Sequence, residues 1–284
     1  VGVTTAYHLA QAGCEVTVID RQAAAASETS YGNAGLITPG DSFAWASPAA
    51  LKTFVQSVFN PDLGLKIRPR WDPQLFDWTL RFLTQCTKQK SQDNTRKKLR
   101  LAVYAREQMQ QIVEQTGVAF DRTQQGVLYF YRSTETLQHG IEHMQFMADQ
   151  GLPIEVLDRE QIVKLDPGLK GAADKIAGGI LCKIDQTGDS CRFSRALASW
   201  CQDHKGVKFH WQTTIQGFET QAGKITAVVT DKGRFTADAF MMTAGCDSPL
   251  LLKTLEIKLP LYPVKGYSIT APILDATQAP IVGG

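Results

Sequence analysis

Val1-Gly2-Val3-Thr4-Thr5-Ala6 opens the chain, and Glu15-Val16-Thr17-Val18-Ile19-Asp20-Arg21 follows just after Gly13. This stretch decides the fold class. Residues 3–13 are small and helix-compatible, with Ala6, Leu9 and Ala10 at helical spacing. Gly13 predicts a left-handed end to that helix. Residues 15–19 predict a short β-branched strand, with Asp20 and Arg21 at its end. Helix, glycine, buried strand and acid form the second half of a nucleotide-binding βαβ unit. Gly2 then reads as the third glycine of G-x-G-x-x-G. Asp20 falls 18 residues later, near the spacing of about 20 that places an acid on a ribose. The same residues also suit an ordinary helix start and a strand-end turn.

Working outward, residues 22–48 are rich in alanine, serine, glycine and asparagine and predict loop. Residues 50–118 predict helices, with stripes through Leu75, Trp78 and Phe82 and through Leu101, Tyr104, Met109 and Ile112. Residues 126–131 and 153–157 predict strands around a helix at 134–150. Residues 207–215, 225–230 and 235–243 predict a β-meander turning at Gln221-Ala222-Gly223 and Asp231-Lys232-Gly233. Residues 259–270 predict a further strand.

Composition bounds what such a chain does. Of its 284 residues, 43% are hydrophobic and 20% charged, enough to bury a large core without disulfide or metal staples. The net charge of +2 gives no argument for nucleic-acid binding. No apolar run approaches the roughly 18 residues of a membrane helix. Cys14, Cys86, Cys182, Cys191, Cys201 and Cys246 are too scattered for a C-x-x-C site and predict core thiols. His139 and His143 stand four apart on a predicted helix, but no third metal ligand has suitable spacing. Residues 88–100 carry six basic side chains against one aspartate. That pattern suits a solvated face, with a membrane-surface contact as the second reading. Trp71, Phe76, Trp78 and Phe82 beside it predict core. Both ends read as cut, and the chain is expected to be an internal fragment, inactive alone.

The sequence resembles the FAD-dependent D-amino-acid oxidase superfamily, most closely its bacterial D-amino-acid dehydrogenase branch. The resemblance is carried by residues 1–6 and 16–21, by Glu28-Thr29-Ser30-Tyr31-Gly32-Asn33-Ala34-Gly35 and by Thr187-Gly188-Asp189. Thr243-Ala244-Gly245 and Tyr262-Pro263-Val264-Lys265-Gly266-Tyr267-Ser268 complete it. It implies an α/β fold in which a Rossmann-like FAD-binding domain with a β-meander is interleaved with an antiparallel-sheet substrate domain carrying a helical insertion. The FAD domain is expected at 1–48 and 172–250, and the substrate domain at 49–171 and 251–284.

By the same resemblance, Gly2, Val3 and Thr4 lie against the FAD pyrophosphate, and Asp20 holds the ribose with Arg21 beside it. Ser30, Asn33, Ala34 and Gly35 line the phosphate and ribityl path. Ile215 presents its backbone to the adenine, and Thr243, Ala244 and Gly245 return to the pyrophosphate. Lys265 and Tyr267 are weaker candidates beside the flavin ring, because the carboxylate-binding arginine of the superfamily falls beyond residue 284. The implied activity is oxidative deamination of D-amino acids, with electrons passing to a quinone or other respiratory acceptor. The implied place is the cytoplasm, peripheral to the inner face of a bacterial inner membrane. A sibling enzyme for glycine, sarcosine, proline or hydroxyproline, and a non-catalytic FAD-fold subunit, are the alternatives.

Overall fold

The computed structural model describes residues 1–60, 71–269, 272–275 and 279–283. Helix α1 (Gly2–Gln11) leads through Gly13, at φ +87°, into strand β1 (Thr17–Ile19). An irregular stretch follows to β2 (Leu36–Ile37) and a tight 3-10 turn at Pro39–Asp41. The helical insertion comprises α2 (Pro48–Phe59), α3 (Pro73–Leu83) and α4 (Lys88–Thr116). Ser47, Asp72 and Thr87 cap their N-termini with side-chain oxygens, which satisfies backbone N–H groups that have no intrahelical acceptor.

Strand β3 (Val127–Tyr131), helix α5 (Thr134–Asp149), strand β4 (Ile154–Leu157), helix α6 (Arg159–Leu165) and strand β5 (Gly178–Cys182) follow. Strand β5 lies between β3 and β4 in an antiparallel sheet. All five of its residues are buried because both faces of that sheet are covered. Leu99, Met144, Met147 and Ile180 pack on one side, and Leu128, Leu157, Ile162 and Leu181 on the other.

Strand β6 (Gln186–Thr187) pairs with β2, and helix α7 (Ser190–Lys205) carries the chain to β7 (Lys208–His210). Strand β7 runs parallel to β1. Helices α1 and α7, with Val18, Phe209 and Ile112, bury Tyr7, Leu197 and Cys201 in a third apolar cluster. Strands β8 (Ile215–Gln221), β9 (Lys224–Thr230) and β10 (Gly233–Thr236) form the meander, and α8 (Ser248–Lys253) closes the list of helices among the described residues.

Several expectations change. Residues 207–215 are not one strand. The chain leaves β7 at His210, turns with Gln212 at φ +52°, and re-enters as β8 at Ile215. The Asp231 carboxylate accepts the Thr214 N–H at 2.8 Å and fixes that turn. Residues 237–243 are not strand beyond β10. Among the described residues β1 bonds only to β7, so no neighbouring ladder is present for them to join. Residues 259–269 are likewise irregular, with Val264, Tyr267 and Ile269 exposed, and Thr270 lies outside the described residues.

In α4 Leu99 and Ile112 are buried and Val103, Met109 and Val113 pack against the same clusters, while Leu101 and Tyr104 of the expected stripe face outward. Trp71 is fully exposed and Phe76 largely so, whereas Trp78 stacks on Phe82 at 5.1 Å. Cys86, Cys182 and Cys201 are core thiols, but Cys14 and Cys246 are exposed. His143 stacks on Phe43 at 3.9 Å.

Candidate functional site

The first turn of α1 has no side-chain cap at Val1. Its first intrahelical bond runs from the Thr5 N–H to the Val1 carbonyl at 2.9 Å. The N–H groups of Gly2, Val3 and Thr4 therefore precede the hydrogen-bond ladder and lie at the positive end of the helix dipole. A Cβ on Gly2 would stand 3.2 Å from Thr243 Oγ1, so residue 243 sits directly against this turn.

Asp20 leaves the end of β1 half-buried. Its N–H donates to the His210 carbonyl at 3.1 Å, and its own carbonyl accepts from Thr213 at 2.9 Å. The Asp20 carboxylate accepts the Gln22 N–H at 2.8 Å through one oxygen. Arg21 turns the other way. Its guanidinium donates to Glu28 at 2.6 Å and stands 2.8 Å from Asp247, two residues beyond Gly245. The contact with Glu28 foremost, with Asp247 adding to it, holds the Arg21 guanidinium above its ordinary range. Arg21 and Gln22 donors likewise hold the Glu28 carboxyl low. Asp247 had no motif to mark it in the sequence, and Glu28 opens the 28–35 stretch without a role assigned to it there.

The 30–35 loop is tied to the start of α7. Ser190 Oγ lies 2.8 Å from the Ser30 carbonyl and 3.0 Å from Asn33 Oδ1, which also accepts the Gly35 N–H at 2.8 Å. Gly35 has φ +63°, and its carbonyl accepts the Gly188 N–H at 2.8 Å. A Cβ there would meet the Gly188 carbonyl at 2.3 Å, so this backbone crossing requires glycine. Arg195 adds a bond to the Ala25 carbonyl at 3.2 Å.

The structure thus brings Gly2 against Thr243, and Arg21 against the turn after Gly245. Ile215 opens β8, half-buried and paired with Thr230. Lys265 and Tyr267 lie in an exposed segment, the lysine ammonium 5.0 Å over the tyrosine ring. That segment passes the 30–35 loop, for a Cβ on Gly32 would stand 3.0 Å from Ser268 Oγ.

N–H groups ahead of the ladder at a glycine-led helix start and an acceptor carboxylate at the next strand end are the complementary pair that a dinucleotide's pyrophosphate and ribose take. The family described as FAD dependent oxidoreductase matches residues 1–282. The chain belongs to that family. Among curated relatives it is 48% identical over its full length to a protein named D-amino acid dehydrogenase 2 from Mesorhizobium japonicum, covering 68% of it. It is 42% identical over 280 residues to a D-amino acid dehydrogenase from Rhizobium johnstonii, 99% of this chain and 67% of the relative.

In fold it resembles L-amino acid deaminase from Proteus myxofaciens, at TM-score 0.61 and 18% identity over 91% of this chain and 46% of that one. Glycine oxidase from Bacillus cereus matches at TM-score 0.58 and 19% identity over 88% and 56%. The chain therefore spans about two thirds of its curated relatives and about half of these solved structures. Among the described residues no helix is long and apolar enough to cross a membrane.

Proposed function

We propose that the chain serves FAD-dependent oxidative deamination of D-amino acids to 2-oxo acids and ammonia. The observation that carries this reading is the full-length identity of 48% to a D-amino acid dehydrogenase, on a chain whose α1 start and Asp20 suit FAD. Bound FAD supplies a two-electron oxidation of the substrate at its α-carbon. The N–H groups of Gly2, Val3 and Thr4 bind the pyrophosphate, and Asp20 accepts the ribose hydroxyls. Ser30, Asn33, Ala34 and Gly35 let backbone amides approach the phosphate and ribityl chain. Thr243, Ala244 and Gly245 close the pyrophosphate side, and Ile215 offers backbone to the adenine. Lys265 and Tyr267 stand on the segment that passes Gly32 and orient substrate when it docks there.

The cofactor part is proposed at 1–48 and 172–250 and the substrate part at 49–171 and 251–284, although strand β5 is bonded to both β3 and β4. The expected electron acceptor is a quinone or other respiratory carrier, met at the inner face of a bacterial membrane. The membrane contact is supported by Trp71, Phe76 and Leu80, which are exposed and precede the basic start of α4 in the sequence. Three of those basic groups have local partners: Lys90 bonds the Thr84 carbonyl, Lys98 the Phe43 carbonyl, and Arg96 pairs with Asp93.

The test is anaerobic mixing of the FAD-loaded protein with D-alanine, followed by a panel of D-, L- and N-methyl amino acids. Bleaching of the flavin by D-amino acids alone supports the reading. Bleaching only by glycine, sarcosine or proline assigns a sibling activity, and no bleaching assigns a non-catalytic subunit. Turnover with a quinone or dye and little with oxygen supports the acceptor class.

A further inference from the structure

Asp185 is fully buried at the junction of β5 and β6. Asp166, the other aspartate among the described buried residues, accepts N–H groups from Gly168, Ile281 and Val282. Asp185 has one donor among the described residues. The Gly40 N–H reaches its two oxygens at 3.0 and 3.2 Å. Gly40 is buried with it, and a Cβ on Gly40 would lie 2.5 Å from Asp185 Oδ2 and 2.7 Å from Cys182 Sγ. The carboxylate and the turn at Pro39–Asp41 are therefore packed together with no room to slip.

This contact sits on the path of the cofactor loop. The 30–35 loop runs into β2, and β2 runs into Gly40. Strand β2 pairs with β6, whose first residue directly follows Asp185. One short strand pair thus links the carboxylate and the loop at both ends.

We propose that Asp185 is a positioning residue for the cofactor loop: through the Gly40 amide its carboxylate sets the course of residues 36–41 and so the approach of Ser30–Gly35 to FAD. The proposal rests on the FAD reading above. An ionised carboxylate holds an N–H more strongly than a neutral carboxyl, so the hold varies with the charge on Asp185. Burial foremost, and Asp41 after it, raise its pKa, while the Gly40 bond and Arg106 oppose them, leaving it at about 6. The groups facing it are Asp41 on the turn, Arg106 on α4, Cys182 on β5 and Tyr129 on β3. Burial pushes the Cys182 thiol to about 12 and the Tyr129 hydroxyl upward, so neither titrates near neutrality. Arg106 is anchored by its Nε bond to the Ile184 carbonyl at 2.7 Å. His143, stacked on Phe43, is lowered by burial and serves as the control.

The experiment follows wild type, Asp185→Asn and His143→Gln from pH 5 to 8. It reads the Gly40 amide by proton–nitrogen NMR and FAD affinity by quenching of flavin fluorescence. Asparagine keeps an acceptor oxygen for Gly40 but has no charge to lose. In wild type the Gly40 resonance should move with a midpoint near 6, and FAD affinity should rise about fivefold across it, the worth of making one hydrogen bond charge-assisted. Both slopes should vanish in Asp185→Asn and persist in His143→Gln. A pH slope in FAD affinity that survives Asp185→Asn overturns the proposal, as does a wild-type affinity without slope. Wild type that binds no FAD at any pH overturns the FAD reading and this proposal together, and a Gly40 titration seen in that case shows that the Asp185 contact itself was not at fault.

Discussion

Arg21 Nη2 stands 2.8 Å from Asp247 Oδ2, tying the end of β1 to the turn after Thr243-Ala244-Gly245. Arg21 also holds Glu28 at 2.6 Å, so its charge is taken up within the protein. Asp20, one residue earlier, has among the described residues only the Gln22 N–H on its carboxylate and keeps acceptor capacity for a ligand.

That division of labour predicts unlike outcomes for neighbouring substitutions. Asp20→Ala should weaken FAD binding by about 1.5–3 kcal/mol for each lost bond to the charged acceptor. Arg21→Ala should cost folding stability no more than about 1 kcal/mol, because both of its ion pairs are solvent-exposed. It should change FAD affinity less than Asp20→Ala does. Titration calorimetry with FAD separates the two, and a larger loss for Arg21→Ala would remove Asp20 from the ribose site.

Gly35→Ala meets two obstacles at once. Alanine is strained at φ +63°, and its Cβ would stand 2.3 Å from the Gly188 carbonyl. The expected cost is about 3 kcal/mol in urea unfolding. An alanine variant as stable as wild type would show that the loop does not cross the chain at Gly188 in this way.

Stability should depend on pH through Asp185. Its pKa is raised on folding from 3.8 to about 6, so the folded state holds this proton more tightly. The associated stabilisation is complete below pH 3.8 and is lost as pH rises through about 6. The difference is about 3 kcal/mol. Asp185→Asn lacks this loss, so its advantage over wild type should grow between pH 4 and 7. Thermal melts across that range check it, and parallel curves for the two proteins would contradict the assignment.

Ser190→Ala removes the hydroxyl that joins Ser30 to Asn33. The expected loss of stability is about 1 kcal/mol, with faster proteolysis between residues 22 and 34. Unchanged proteolysis would mean that the loop is held by other contacts.

The α1–Gly13–β1–Asp20 unit was legible because its signals are local: helical spacing, a left-handed glycine and a β-branched run. The meander was legible in kind and misplaced in register. No glycine or proline marks the break at Gln212, and the Asp231–Thr214 bond that fixes it joins residues 17 apart. Residues 237–243 and 259–269 have strand-like composition, but a strand exists only beside a partner, which propensity does not encode. The candidate site residues were named where a motif carried them. Glu28, Asp185 and Asp247 owe their places to tertiary contacts and lie in no periodic pattern. The outward turn of Leu101 and Tyr104 shows the same limit, since apolar residues at helical spacing do not say which face is covered.

The stretch from 22 to 35 contains no regular strand or helix, yet α7 fastens it at Ala25, Ser30 and Asn33. Its conformational entropy is therefore surrendered during folding, at the expense of the α7 packing, and not at the moment of ligand capture. A loose glycine-rich loop would return part of its binding energy as ordering cost. A loop already fastened keeps that energy, so its encounter with a dinucleotide should be limited by diffusion and fit, and not by the search for a shape.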